Sequence, residues 1–322
     1  MKAILYDQPK APLYLGDAPE PQLNSGDLLV RVHATALNRA DLLQRRGGYE
    51  PPSGASPILG LELAGEVVQA ADGWRAGDRV MAVVTGGGYA EYAAVPASVA
   101  MPIPDTLTYE AAAAVPEAFL TAYLNLFTLG KLQGHDSVLI HAGGSGIGTA
   151  AIQLARAVGA RHIFTTAGSP EKLARCQQLG ASVVINYKAE SFLERVREVT
   201  ENEGVNVILD FIGAPYWNDN LAALAYGGRL MLIGFLGGAS GDINLGALMS
   251  KNLTVTSTTL RRTPIWKKAE LVEAFTSFGL PRFESGELQP VIDRVFPLAQ
   301  AEEAHAYMQT NANFGKIVLR VI

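Results

Sequence analysis

The chain has 322 residues, 48% of them hydrophobic, and 26 Lys and Arg against 31 Asp and Glu give a net charge of −5. That length leaves room for two domains with sizeable cores, and the acidic balance argues against nucleic acid as a main partner. The single cysteine, Cys176, excludes internal disulfides and any cysteine-rich structural zinc site.

Cys176 lies on a helical stripe with Leu173 and Leu179 and reads as a buried, inert thiol. The N-terminal stretch lacks the long apolar core of a signal peptide, and no apolar run approaches the length of a membrane span. A cytoplasmic protein without membrane association is expected.

Residues 1–114 read as strands separated by turns. The candidates are Ala3–Tyr6, Leu28–Ala34, Glu62–Ala70, Arg79–Val84 and Tyr89–Val95, many bounded by Gly or Pro, and helical periodicity is nearly absent. Such a run suggests a barrel-like domain. Three stretches read as unusually polar or glycine-rich loops: Ala36-Leu-Asn-Arg-Ala-Asp-Leu42, Gly47-Gly-Tyr-Glu-Pro-Pro52 and Gly86-Gly-Gly-Tyr-Ala-Glu-Tyr92.

From about residue 115 the pattern alternates strand and helix. Strands are expected at Val138–Ile140, His162–Thr166, Val183–Ile185, Val205–Leu209, Leu230–Ile233 and Leu253–Thr256. Helical segments fall at Pro170–Leu179, Glu190–Glu201 and Tyr216–Leu224. Six apolar strands with crossovers make an α/β fold with a doubly wound parallel sheet of Rossmann type. Ser169-Pro170 is a good helix start and Gly180 a good stop.

The first of these strands runs into a glycine cluster at Gly143, Gly144, Gly146 and Gly148. A helical face follows, formed by Ile147, Ala150, Ala151, Leu154 and Val158, with Gly159 to stop it. Strand, glycine turn and helix is the context of a dinucleotide-binding loop, where bare backbone approaches a pyrophosphate and the helix N-terminus offers free N–H groups. With Gly143 and Gly148 as the outer glycines of G-x-G-x-x-G, the middle position is Ser145. Its hydroxyl either donates to a phosphate or a bound ring, or caps the helix.

An NAD site usually places Asp or Glu about 20 residues after the glycine loop to bind the ribose. Here Thr165–Ser169 is small and uncharged, and Lys172 follows one turn into the next helix. A carboxylate would repel a 2′-phosphate and a lysine attracts it, so NADPH is expected over NADH. Two alternatives stand beside this: Lys172 as a solvated lysine paired with an acid, and Glu171 approaching the ribose. The loop Gly234-Phe-Leu-Gly-Gly-Ala-Ser-Gly241 follows the fifth strand, where strand carboxyl ends gather ligands. Beyond about residue 258 the alternation ends, leaving a helix at Lys267–Phe278 and a strand at Lys316–Val321. The threonine-rich edge at Leu253–Thr258 invites pairing with a second copy, and a homodimer is expected.

A family resemblance is carried by Ala36–Leu42, Gln44–Pro52, Ile58-Leu-Gly-Leu-Glu62, Gly77-Asp-Arg-Val80, His141–Gly148, Asn186-Tyr-Lys188 and Gly315-Lys-Ile-Val-Leu319. In that order they resemble the medium-chain dehydrogenases/reductases, and within them the zeta-crystallin type of quinone oxidoreductase. The resemblance implies a GroES-like β-barrel-type domain from residues 1–114 and 258–322, and a Rossmann NADPH-binding domain from 115–257. The tail would fold back on the N-terminal domain and leave the cofactor cleft between the two.

Zinc-dependent members resemble Gly-His-Glu where this chain reads Gly60-Leu61-Glu62, and the ligand cysteine expected near Asn38–Asp41 is missing. The five histidines, His33, His135, His141, His162 and His305, show no ligand spacing. No metal is expected.

The resemblance further implies cofactor contacts from Asn38, Asp41, Thr121, Gly143, Ser145, Gly146, Ile147 and Gly148. It places Gly168, Ser169, Lys172 and Tyr187 around the 2′-phosphate, and Gly234, Phe235 and Leu236 beside the nicotinamide. Asn313-Phe314-Gly315-Lys316 would close over the cofactor, with Lys316 near its phosphates. The alternative for Asp41 is a structural cap of its turn.

Without a metal to polarise it, the acceptor must take hydride readily, as quinones and activated alkenes do. Asn38, Tyr49 and Ser145 are the polar groups expected at the acceptor. Asn38 would hold the nicotinamide or the acceptor oxygen, and Tyr49 would bond the developing oxyanion. An NADPH-dependent quinone oxidoreductase is the reading that results. Its rivals are an NADPH-dependent alkenal or enone reductase, and an NADPH-binding structural or RNA-binding protein with vestigial catalysis; the acidic charge weakens the RNA version.

Overall fold

Alternating side chains organise the first part of the chain. The computed structural model describes Met1–Ile322. It divides into two units, Met1–Leu120 with Leu260–Ile322, and Thr121–Thr259. In the first, β1 (Lys2–Leu5) and β2 (Tyr14–Asp17) form an antiparallel pair. The hub is β3 (Asp27–Ala36): Leu28, Val30, Val32 and Ala34 share one face and are fully buried, as a period of two requires.

Helix α1 (Arg39–Arg45) leads to β4 (Glu62–Gln69), β5 (Arg79–Val83), β6 (Tyr92–Pro96) and β7 (Ala100–Pro102). Helices α2 (Tyr109–Ala113) and α3 (Pro116–Tyr123) follow. β3 pairs antiparallel with both β4 and β6, and the sheet continues through β5 to β7.

The second unit alternates as its sequence pattern requires. Its elements are β8 (Ser137–Ile140), α4 (Gly146–Ala157), β9 (His162–Ala167), α5 (Pro170–Leu179), β10 (Val183–Asn186) and α6 (Phe192–Val199). Then come β11 (Val205–Asp210), α7 (Trp217–Ala223), β12 (Leu224–Leu232), α8 (Gly246–Ser250) and β13 (Thr254–Ser257). All six strands run parallel in the order β10-β9-β8-β11-β12-β13.

The order reverses between β8 and β11, which is where doubly wound sheets bind ligands at their strand carboxyl ends. Leu139, Phe164, Ile185, Ile208 and Leu230, one from each of five strands, pack with Phe192, Val196 and Leu221 from the helices. Each such side chain contributes about 1.5–3 kcal/mol through burial. β13 is hydrogen-bonded only to β12 and forms one edge of the sheet.

The chain then completes the first unit with α9 (Ile265–Glu284), β14 (Ile292–Pro297), α10 (Ala301–Gln309) and β15 (Lys316–Arg320). β15 pairs antiparallel with β3, with Val318 opposite Ala36, and parallel with β14. Ala301, Ala304 and Met308 of α10 share a core with Leu37, Leu42, Leu59 and Ile317. No helix is long and apolar enough to cross a membrane.

Several elements differ from the sequence reading. The polar stretch Ala36–Leu42, read as a loop, turns into α1 at Arg39. Asn38 stands at the N-cap, and the Asp41 carboxylate three residues on accepts its N–H at 2.7 Å, half of a capping box. Helix α10 was missed although Ala301, Ala304, His305 and Met308 form a helical stripe, because the buried histidine hides it. β2, β7 and β14 were not anticipated either. The expected strand Tyr89–Val95 is divided: Tyr92–Pro96 pairs with β3, while Ala90 only bridges Ala3.

The glycines of the β8–α4 turn are there for packing. A Cβ on Gly143 would collide with Thr165 Oγ1, and one on Gly148 would meet the Ala142 carbonyl and come within 2.8 Å of Gly143 Cα. Gly148→Ala is therefore expected to lower stability by about 1–3 kcal/mol, the usual range for overpacking. Urea unfolding measures this, and an unchanged midpoint would show that α4 has slack to move.

Candidate functional site

Immediately after β8 the chain depends on a buried brace. His141 is fully buried, with Nε2 2.8 Å from Asn220 Oδ1 and Nδ1 3.1 Å from Thr166 Oγ1. A carboxamide oxygen only accepts, so Nε2 carries the hydrogen and Nδ1 accepts from the Thr166 hydroxyl. The hydroxyl oxygen in turn receives the Ala142 N–H at 3.3 Å. Burial pushes His141 down to about 4, which keeps the imidazole neutral as this arrangement requires. The brace fixes Ala142 at φ 52°, a left-handed backbone uncommon for a residue with a Cβ. Ser145 then caps α4, accepting the Gly148 N–H at 2.9 Å and keeping its own hydrogen free to donate.

The neighbouring strand ends are built in the same way. After β9, the Ser169 hydroxyl accepts the Lys172 N–H at 3.3 Å and starts α5. Tyr187, 48% exposed, lays its hydroxyl against Gly168, where a Cβ would approach to 2.6 Å. No carboxylate stands between Thr165 and Ser169. After β11, the Asp210 carboxylate accepts the N–H groups of Ile212 at 2.7 Å and Gly213 at 3.2 Å, and burial still pushes it up to about 6.

Gly213 bridges Gly238, and Leu236 and Gly237 donate to Phe211 O at 2.9 Å and Ile212 O at 2.8 Å. The Gly234–Gly241 loop is thereby tied down at its start while Phe235 and Leu236 face outward. Thr121 is buried, and its Oγ1 has no hydrogen-bond partner.

The first unit holds a second polar cluster. The buried Lys316 ammonium donates to Leu37 O at 2.7 Å, Asn38 Oδ1 at 2.7 Å and Glu62 Oε1 at 2.6 Å. Glu62, fully buried, also accepts from Asn38 Nδ2 and from the Glu117 N–H, both at 2.8 Å. Asp41, also fully buried, accepts from Asn38 N, from Gly60 N at 3.1 Å and from the Tyr89 hydroxyl at 3.3 Å. Burial pushes its carboxyl up to about 6 against the pull of those amides.

Close by, the buried Arg261 donates from Nε to Thr85 O at 2.8 Å and from Nη1 to Tyr49 O at 3.3 Å, with its guanidinium 5.2 Å from the centre of the Tyr49 ring. Buried Lys268 donates to Arg261 O at 2.9 Å. Tyr49 is half-buried, which raises its phenol above the usual value, and the Glu117 carboxyl adds to the effect.

The expected site residues thus fall into two groups. Gly143, Ser145, Gly146, Ile147 and Gly148 lie together at the start of α4, near them in the same unit Gly168, Ser169, Lys172 and Tyr187 at the ends of β9 and β10, and Gly234, Phe235 and Leu236 after β12. Asn38, Asp41 and Lys316 meet in the first unit. Two expectations there need correction. All three hydrogens of the Lys316 ammonium are used within the unit, so none is left for a phosphate. The oxygens of Asp41 are likewise turned to the protein, which makes it the cap of its turn. Phe314 is buried, and its N–H is held by Asp293 at 3.0 Å.

The sequence gives no role to Thr166, Asn220, Asp210, Glu117, Arg261 or Lys268, and marks His141 only as part of its motif and as a histidine without ligand spacing. Pro116-Glu117 carries a weak local signal, proline opening a helix with an acid in its first turn. Arg261 and Lys268 carry none, since their partners lie far away in the sequence.

Comparison with known proteins follows the same two-part division. Residues 24–105 match the alcohol dehydrogenase GroES-like domain, and residues 146–276 match the zinc-binding dehydrogenase family. The quinone oxidoreductase of Rattus norvegicus is 30% identical over 306 residues, covering 94% of this chain and 90% of that protein. The synaptic vesicle membrane protein VAT-1 homolog of Homo sapiens is 32% identical over 337 residues, with 99% and 83% covered. Among solved structures, the quinone oxidoreductase from Thermus thermophilus, also determined with NADPH, aligns over the whole of both chains at 37% identity and a TM-score of 0.85.

Despite the name of the second family, the residues here do not fit a zinc ion. Leu61 is a buried hydrocarbon, Glu62 is engaged by Lys316, Asn38 and the Glu117 amide, and no three His, Cys, Asp or Glu side chains are placed to hold a metal.

Removing one partner of a buried ion pair strands the other charge, at a cost of about 3–5 kcal/mol. Lys316→Ala is expected to lose that much in urea unfolding. The double variant Lys316→Met with Glu62→Gln should recover a large part, because neither charge is then buried alone. Equal losses in the single and double variants would show that the pair is not coupled.

Proposed function

The chain belongs to the zinc-independent quinone oxidoreductase family of the medium-chain dehydrogenases/reductases, and on that premise we propose that it reduces quinones with NADPH and without a metal. The observation that carries this reading is the crest of the second unit. There a braced glycine turn opens α4 at the switch point, beside a carboxylate-free strand end with Lys172 one turn on.

The residues present fit a dinucleotide. The turn offers bare backbone at Gly143, Gly144, Gly146 and Gly148, the start of α4 offers N–H groups to an anion, and the buried Thr121 hydroxyl lacks a partner. Gly143, Ser145, Gly146, Ile147 and Gly148 would hold the pyrophosphate. Gly168, Ser169, Lys172 and Tyr187 would hold the 2′-phosphate, and Gly234, Phe235 and Leu236 the nicotinamide end. NADPH when bound supplies the hydride.

The chain's own part is to bind, orient and exclude water. Asn38 spends both amide hydrogens, on Glu62 and on Ala36 O, so it can only accept from a ligand. The Tyr49 hydroxyl makes no hydrogen bond within the protein and is free to donate to an acceptor oxygen, as is Ser145. Arg261 holds the Tyr49 backbone and ring in place.

The test is an acceptor panel, quinones against α,β-unsaturated carbonyls, run with NADPH and with NADH. Quinone reduction is expected with NADPH bound at least tenfold tighter than NADH, about 1.4 kcal/mol. Lys172→Ala should erase most of that preference and leave NADH affinity near its starting value. Equal dissociation constants in the unmutated protein would rule out the 2′-phosphate site, and activity confined to unsaturated carbonyls would make the protein an enone reductase.

Tyr49→Phe should lower kcat/KM for quinones roughly tenfold, near the contribution of one hydrogen bond, with NADPH affinity hardly changed. If both Tyr49→Phe and Tyr49→Ala keep unmutated kinetics with several quinones, Tyr49 does not touch the acceptor.

A further inference from the structure

We propose that Glu117 is the acid that gives the acceptor its proton, a proposal that rests on the reductase reading above. Hydride carries two electrons and one proton to the acceptor, which leaves a negative charge on its oxygen. A second proton is needed for a neutral product. In the proposed step the Glu117 O–H bond breaks, an O–H bond forms on the acceptor oxygen, and the resulting carboxylate takes a proton from water. Over the whole reaction one acceptor, one NADPH and one proton become the reduced acceptor and NADP⁺.

Three features of the first unit converge on this residue. The first is its anchoring. Glu117 lies in the first turn of α3, and its N–H is held by Glu62 Oε2 at 2.8 Å, beside Asn38 and Lys316. The second is that its carboxyl is uncommitted. It is half-buried, yet it makes no side-chain hydrogen bond and no ion pair, unlike Asp41 and Glu62 next to it. A half-buried carboxyl without a partner in the protein is shifted toward its neutral form, and its O–H is then free to reach an acceptor.

The third is a pair of buried cations, Arg261 beside Tyr49 and Lys268 donating to Arg261 O. Arg261 and Lys268 are 4% and 5% exposed, neither has a carboxylate within salt-bridge distance, and Arg261 Nη2 has no hydrogen-bond partner. Both feel the Glu117 charge, so the carboxylate left after proton transfer has cations to face.

The groups around Glu117 set the pH at which it works. Burial pushes it up most, the Glu62 and Asp41 carboxylates push the same way, and Lys316 and Lys268 pull down, leaving it at about 8. The Tyr49 phenol and the Arg261 guanidinium share this field. An acid must be protonated to act, so its contribution is present below that value and fades as pH rises through it.

The experiment is the pH profile of kcat/KM, with the best acceptor of the panel, for the unmutated protein, Glu117→Gln and Glu117→Asp. The unmutated enzyme should lose activity above about pH 8 and show a normal solvent deuterium isotope effect. Glu117→Gln should be slower by about a hundredfold, within the usual range for general acids, with the alkaline limb gone and the isotope effect near unity. Glu117→Asp should keep a limb at reduced rate. Thermal unfolding and quenching of protein fluorescence by NADPH should be unchanged in both variants.

A Glu117→Gln enzyme that keeps the alkaline limb overturns the proposal whatever its rate. So does an unmutated enzyme without a solvent isotope effect, a result that stands even if Glu117→Gln fails to fold. An unmutated protein inactive toward every quinone and enone refutes the reductase reading itself, and is thereby told apart from the failure of Glu117 alone.

Discussion

The contact between Lys316 and Glu62 is the constraint on which the first unit depends. Both side chains are almost fully removed from water, and neither charge is tolerable there alone. Their solution joins four pieces of chain: the start of β15, the residues after β3, the start of β4 and the first turn of α3. A buried pair of this kind adds little net stability over a hydrocarbon replacement. What it does is fix geometry, since only one placement of these elements satisfies every donor and acceptor. Asn38 is held rigid as a consequence, and so is the backbone of Glu117.

The second unit meets its constraint differently. Its loops at the strand carboxyl ends expose backbone together with Tyr187, Phe235 and Leu236, while His141, Thr166 and Asp210 are turned inward as supports. His141 holds Ala142 through Thr166, and Asp210 holds Ile212 and Gly213 and, through Gly213, the later glycine loop. Backbone amides at a helix start suit an anion well only if the turn is stiff, because a loop that must be ordered on binding spends affinity on conformational entropy. The buried His141, Thr166 and Asp210 side chains thus stiffen these loops from within.

The sequence made the second unit readable almost element by element. Local signals suffice there: apolar runs, helical stripes, and the start and stop of α5 at Ser169-Pro170 and Gly180. The first unit was harder. Its strands were legible where alternation was clean, as in β3. Yet β15 has four consecutive buried residues from Lys316 to Leu319, so no parity marks where the lysine points. An ammonium expected near phosphates is instead the internal counter-ion of Glu62. Helix α1 was hidden by its polar cap. The cation beside Tyr49, Arg261, lies 212 positions further along, and pairing across such a distance leaves no trace in local pattern.

The place of β15 beside β3 has a consequence for how the protein is made. Ala34–Ala36 leave the ribosome early, but their neighbours Val318–Arg320 are synthesised some 280 residues later. The second unit is contiguous from Thr121 to Thr259 and has every strand of its sheet before that point. All of the second unit is therefore synthesised while the sheet of the first still lacks β15 and Glu62 still lacks its cation. β15 carries that cation in its first residue, so its pairing with β3 both extends the sheet and supplies the partner of Glu62.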